Sequence, residues 1–193
     1  MNIPNSLTLL RIAMIPIFVV IFYLPFSWSN MVACVVFTLA ALTDMLDGYL
    51  ARKLEQISPL GAFLDPVADK LMVAVVLVCL VQRESAMGQW GGLFLTLPAV
   101  IIIGREITVS ALREWMAELG ARSKVAVSIY GKVKTIAQMV ALGVLVFRDS
   151  VYGIPVYAIG VVLLYIAALL TLVSMFQYLQ SAWPRLRESN KKQ

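Results

Sequence analysis

Four aspartates stand close together in a chain that is 61% hydrophobic and 14% charged: Asp44, Asp47, Asp65 and Asp69. Asp44 and Asp47 are three apart, and Asp65 and Asp69 are four apart. On a helix, either spacing puts its pair on one face. Two such helices facing each other would gather four carboxylates around a small volume. Like charges that close repel, so the arrangement requires protons or cations. An all-carboxylate cage selects a hard cation such as Mg²⁺ or Mn²⁺. A bland reading makes these ordinary exposed aspartates at helix ends. At mid-bilayer, however, each charge costs about 2.5–3.5 kcal/mol. The macrodipole also disfavours anions near a helix C-terminus, where Asp44 and Asp47 are expected.

The elements that must position these acids are membrane spans. Mean hydropathy is +0.86, and soluble domains carry about 25% charged residues. The 193 residues read as one all-α integral membrane domain, 1–193, with six transmembrane helices. Pro4-Asn5 starts the first helix, and an apolar run follows to Phe26. Ser27-Trp28-Ser29 offers small residues at a signal-peptide cleavage spacing. Pro16 inside the run, and a next span that must enter from the outer side, favour a membrane span instead. Span two runs from Met31 into the acidic stretch, and span three from Gly61 to Val81. Span four runs from Leu93 towards Trp115, span five from Lys132 to Phe147, and span six from Val156 to Met175. Pro66 is expected early in its helix, where a missing N–H is cheap. Residues 116–131 read as a polar connection.

Six spans put both termini on one side. That side collects Arg11, Arg52, Lys53, Arg113, Arg122, Lys124, Lys132, Lys134 and the basic tail, whereas the other collects Arg83 and Arg148. The positive-inside rule then places both termini in the cytoplasm. Spans two and four end there, and spans three and five begin there. The expectation is a polar cavity open to the cytoplasmic side, with aspartates on one wall and Arg105, Arg113, Lys132 and Lys134 on another.

Composition excludes several chemistries. There is no histidine, hence no Ser-His-Asp triad and no histidine metal site. Cys34 and Cys79 lie in apolar runs without motif spacing and read as packing residues. A net charge of +5 suits an anionic leaflet or anionic substrate, while basic residues flanking apolar spans argue against nucleic acid. Asn5, Thr8 and Arg11 share one helix side, either as a capped juxtamembrane helix with a snorkelling arginine or as part of a site. Metal-loaded carboxylates beside a basic patch suit phosphate chemistry, since divalent cations can clamp the attacking and leaving oxygens of a displacement. A free carboxylate can take a proton from an attacking hydroxyl.

The stretch from Asp44 to Asp69 matches D-x2-D-G-x2-A-R-x8-G-x3-D-x3-D at every position. It resembles the signature of the CDP-alcohol phosphotransferases. The similarity continues through Asn2-Ile3-Pro4-Asn5, Arg105-Glu106-Ile107, Ser110 to Trp115 and Gly131 to Thr135. The resemblance implies a multi-pass enzyme of the bacterial inner (cytoplasmic) membrane, usually a homodimer, with two Mg²⁺ or Mn²⁺ ions. Asp44, Asp47 and Asp65 would be metal ligands. Asp69 would be the general base and would also touch a metal. Thr8, Gly48, Ala51, Arg52 and Gly61 would bind the donor CDP-diacylglycerol. Arg105, Arg113, Lys132 and Lys134 would bind an acceptor phosphate, that of glycerol 3-phosphate. Inositol, serine and phosphatidylglycerol are the alternative acceptors. A carboxylate-lined ion transporter is the rival outside the family, but its polar groups should spread through the bilayer depth.

Overall fold

A computed structural model describes residues 3–53, 59–86, 89–118 and 129–189. Six helices occupy almost all of it: α1 (Ile3–Tyr23), α2 (Ser29–Lys53), α3 (Pro59–Ser85), α4 (Gln89–Glu118), α5 (Ile129–Phe147) and α6 (Val156–Ser189). Among the described residues the β-type pairing is one isolated bridge, Val151 with Ile154. This is an all-α membrane protein. Segments Asn5–Tyr23, Gly92–Glu118 and Val156–Trp183 are each long and apolar enough to cross a membrane. The 21 residues of α1 rise about 30 Å, one hydrocarbon thickness. Ser29–Asp44 and Val133–Phe147 are shorter apolar stretches within α2 and α5.

The helices pack as a ring. α1 pairs with α2, α3 with α4, and α5 with α6, while α1–α3, α4–α6 and α2–α5 contacts close the circle. α3 also touches α5 across the middle. The interior is a continuous apolar core built from Phe18, Phe37, Val76, Leu80, Ile102, Leu142 and Leu164, among others. Outward faces carry large apolar residues such as Val20, Val100, Val162 and Leu169. A helix bundle apolar inside and outside is what lipid as solvent demands. Gly160 lets α6 approach α5 closely: a Cβ there would fall 2.8 Å from Leu145 Cγ, the small-residue contact by which membrane helices pack.

Three expectations need correction. α6 continues well past Met175, and Tyr178 and Ala182 pack against Val109, Leu112 and Met116 of α4. Pro66 lies seven residues into α3 rather than in its first turn, so the helix forgoes one backbone hydrogen bond there. α2 runs on to Lys53, which puts Asp44 more than two turns before the C-terminus, beyond the reach of the terminal dipole.

At one end of the bundle, polar residues tie five segments together. Arg83 Nη1 donates to Asn30 Oδ1 at 3.0 Å, and Nη2 donates to the Phe22 carbonyl at 2.7 Å. Its guanidinium carbon lies 3.5 Å from the Phe22 ring centroid. Asn30 Nδ2 donates to Asp149 at 3.2 Å. Arg148 bonds the buried Glu84 and lies over the Tyr157 ring at 5.0 Å. Arg148 directly follows α5 with φ of 60°, the left-handed stop at which glycine is usual. The ion pair with Glu84 and the ring contact favour arginine despite the backbone penalty.

Candidate active site

At the other end of the bundle a cavity of about 370 Å³ opens among five helices. Helical periodicity explains its lining. α3 presents Pro66, Asp69, Lys70 and Val73, spaced three and four apart along one stripe. α4 presents Arg105, Glu106, Val109, Ser110 and Arg113 in the same way, and α5 presents Lys134, Thr135, Gln138 and Met139. Asp44 enters from α2 and Tyr178 from α6.

The charges are interlocked. Arg11 is 1% exposed, and its Nη1 donates to Asp44 Oδ1 at 2.6 Å. Arg11 is thus buried within the bundle and does not snorkel. Arg105 is held from three sides. Its Nη2 donates to Ser174 Oγ at 3.0 Å, its Nη1 lies 3.5 Å from Glu106 Oε1, and its guanidinium carbon sits 5.5 Å from the Tyr178 ring centroid. Ser174 in turn donates to the Thr171 carbonyl at 2.9 Å. Lys134 is buried and ion-paired with Glu106. Asp69 sits in the field of Asp44, Arg11, Glu106 and Lys70. Arg113 and Lys70 have no ion-pair partner among the described residues, and both line the cavity.

The structure therefore brings Asp44, Asp69, Arg105, Arg113 and Lys134 into one space. Asp47, Gly48, Ala51, Arg52, Asp65 and Lys132 lie outside the residues whose surroundings are described. Thr8 and Gly61 are buried but are not among the lining residues. Glu106 bridges Arg105 and Lys134. Gln138 was not among the expected site residues, nor were Ser174 and Tyr178 of α6, although Thr171, Ser174, Tyr178 and Ala182 repeat at helical spacing. Among the described residues no three candidate metal ligands cluster. The side-chain acceptors lining the cavity are oxygens, among them the carboxylates of Asp44, Asp69 and Glu106, with no histidine in the chain, and that set fits a hard divalent cation.

The profile of the CDP-alcohol phosphatidyltransferase family matches residues 1–173. The chain belongs to this family. A Pseudomonas fluorescens relative, named CDP-diacylglycerol–glycerol-3-phosphate 3-phosphatidyltransferase, is 56% identical over 100% of this chain and 96% of its own length. A relative of the same name from Salmonella paratyphi A is 54% identical over 94% of each chain. Another, from Yersinia pestis, is 54% identical over 97% of this chain and 98% of its own. Family membership extends the likeness carried by the aspartate motif to α4, α5 and most of α6, the helices that supply the basic wall and its support.

Proposed function

We propose that this chain is a phosphatidylglycerophosphate synthase. It transfers the phosphatidyl group of CDP-diacylglycerol to glycerol 3-phosphate and releases CMP, a step towards phosphatidylglycerol and cardiolipin. The observation that carries this reading is the meeting of Asp44 and Asp69 with Arg105, Arg113 and Lys134 in one cavity. A neutral acceptor has no need of that basic wall, whereas a phosphorylated one requires it. Relatives of 54–56% identity bearing the corresponding name support the same acceptor.

In the proposed reaction the 1-hydroxyl oxygen of glycerol 3-phosphate bonds to the lipid-side phosphorus. The bond from that phosphorus to the oxygen bridging it to the CMP phosphorus breaks, and CMP leaves with the bridging oxygen. Asp69 takes the hydroxyl proton. Arg105, Arg113 and Lys134, with Lys132, hold the acceptor phosphate through charge-assisted hydrogen bonds. Glu106 and Ser174 fix the angle of Arg105, so the site is organised before substrate arrives. Asp44, Asp47, Asp65 and Asp69 would hold Mg²⁺ or Mn²⁺, which supplies charge neutralisation at the diphosphate. We place the enzyme in a bacterial inner membrane as a homodimer, as its family resemblance implies, with both termini cytoplasmic on the strength of the uneven Lys and Arg distribution.

The test is CMP release by purified protein given CDP-diacylglycerol, Mg²⁺ or Mn²⁺, and a panel of acceptors. Release with glycerol 3-phosphate and not with inositol, serine or phosphatidylglycerol is expected. Release with one of the others, and none with glycerol 3-phosphate, would overturn the assignment.

A further inference from the structure

We infer that Gln138 reads the secondary hydroxyl of the acceptor and thereby sets which phosphorylated alcohols the site accepts. The inference rests on the reaction proposed above and goes beyond it to a specificity residue.

Gln138 is 3% exposed and lines the cavity one helical turn beyond Lys134. Its Oε1 is fully buried and has no hydrogen-bond partner among the described residues. Buried amide oxygens are nearly always paired, and leaving one unpaired is expensive. Along α5 the neighbouring positions are Ile136, Met139 and Val140, so an apolar residue would suit a purely structural role at 138. Lys134 bonds Glu106 and Arg105 Nη2 bonds Ser174, and no donor among the described residues, those of Lys70 and Arg113 included, bonds Gln138 Oε1. The orphaned acceptor is therefore matched to a donor that arrives with the substrate.

Glycerol 3-phosphate offers one such donor. Its phosphate needs cations and its primary hydroxyl must lie beside Asp69. The secondary hydroxyl falls between these two groups and needs an acceptor of its own. A carboxylate there would repel the phosphate dianion, whereas a neutral amide accepts the hydrogen bond without adding charge. Among the described lining residues Gln138 is the one amide side chain, and it lies on the same helix as the phosphate-binding Lys134.

The experiment compares glycerol 3-phosphate with 3-hydroxypropyl phosphate, which lacks the secondary hydroxyl, in CMP-release assays at saturating CDP-diacylglycerol. The wild-type protein should prefer glycerol 3-phosphate in kcat/KM by roughly five- to 150-fold, the range for leaving a buried partner unpaired. Gln138→Leu should bring that ratio close to one, through loss on glycerol 3-phosphate, with KM for CDP-diacylglycerol unchanged. Its melting temperature in detergent should stay level or rise, because an unpaired buried acceptor has gone. Gln138→Met serves the same purpose if the leucine variant fails to fold. Gln138→Glu, which keeps an acceptor oxygen, should keep the preference even if both rates fall. An unchanged ratio in the leucine and methionine variants, or an equal loss on both acceptors, would overturn the inference. A wild-type protein that turns over neither phosphorylated acceptor would instead overturn the reaction, and the inference with it.

Discussion

Arg11 Nη1 donates to Asp44 Oδ1 at 2.6 Å across 33 residues of chain, and it does so from a position sealed from solvent. The first helix thus places a fixed positive charge against an aspartate expected to hold a metal ion. A divalent cation arriving at Asp44 must share that carboxylate with the guanidinium.

Removing the arginine should therefore separate two properties. Arg11→Met should lower the melting temperature of metal-free protein, because Asp44 loses its countercharge. The same variant should shift the Mg²⁺ or Mn²⁺ concentration for half-maximal thermal stabilisation downwards, since a competing cation has gone. An upward shift would mean that Arg11 organises the site for metal rather than competing with it.

The aspartates themselves should be indispensable. Asp44→Asn, Asp47→Asn and Asp65→Asn should each abolish CMP release while the protein remains folded in detergent. EDTA should mimic them, and added Mg²⁺ or Mn²⁺ should restore the rate. Full activity in EDTA would defeat the metal reading.

Asp69→Asn should behave differently. The loss in rate should be at least ~100-fold, the low end for general acid–base catalysis, with CDP-diacylglycerol still bound. Parallel loss of donor binding would make Asp69 chiefly a ligand and move the base elsewhere.

Much of this was legible in the sequence. Four aspartates at helical spacing pointed to one wall of a polar site, and the uneven distribution of arginine and lysine pointed to the other. Asp44 and Asp69 do line the same cavity as Arg105, Arg113 and Lys134. What the sequence hid were residues whose role depends on partners far along the chain. Arg11 looked equally able to snorkel, because a lone arginine near a helix start gives no hint of Asp44. Ser174 and Tyr178 were invisible as supports of Arg105, because small hydroxyls and tyrosines are ordinary in membrane helices. Gln138 carried a readable signal, an amide among apolar neighbours. Only its burial and unpaired oxygen turn that oddity into a site.

The basic wall can be tested residue by residue. Arg105→Ala, Arg113→Ala, Lys132→Ala or Lys134→Ala should raise KM for glycerol 3-phosphate about ten- to two-hundred-fold wherever the residue touches the phosphate, as a charged hydrogen bond is worth about 1.5–3 kcal/mol. KM for CDP-diacylglycerol should hardly move. Ser174→Ala should give a smaller rise of the same kind, because it frees Arg105 without removing it. If all four cation variants leave the glycerol 3-phosphate KM unchanged, the acceptor binds elsewhere.

The far end of the bundle should matter for stability alone. Arg148→Ala removes the ion-pair partner of the buried Glu84 carboxylate and should cost about 3 kcal/mol, the low end for breaking a buried pair. Turnover per folded molecule should remain near the wild-type value. A drop in kcat without a drop in melting temperature would contradict this.

That polar knot gives five of the six rods a pivot. Phe22, Asn30, Arg83, Glu84, Arg148, Asp149 and Tyr157 join every helix except α4 at one end, whereas splaying at the opposite end has the Arg11–Asp44, Arg105–Ser174 and Lys134–Glu106 links to loosen. Displacement about a pivot grows with distance from it, and the cavity lies at the far end of the lever. A bulky two-tailed lipid can therefore be admitted by a small angular opening between neighbouring helices, while the knotted end stays closed.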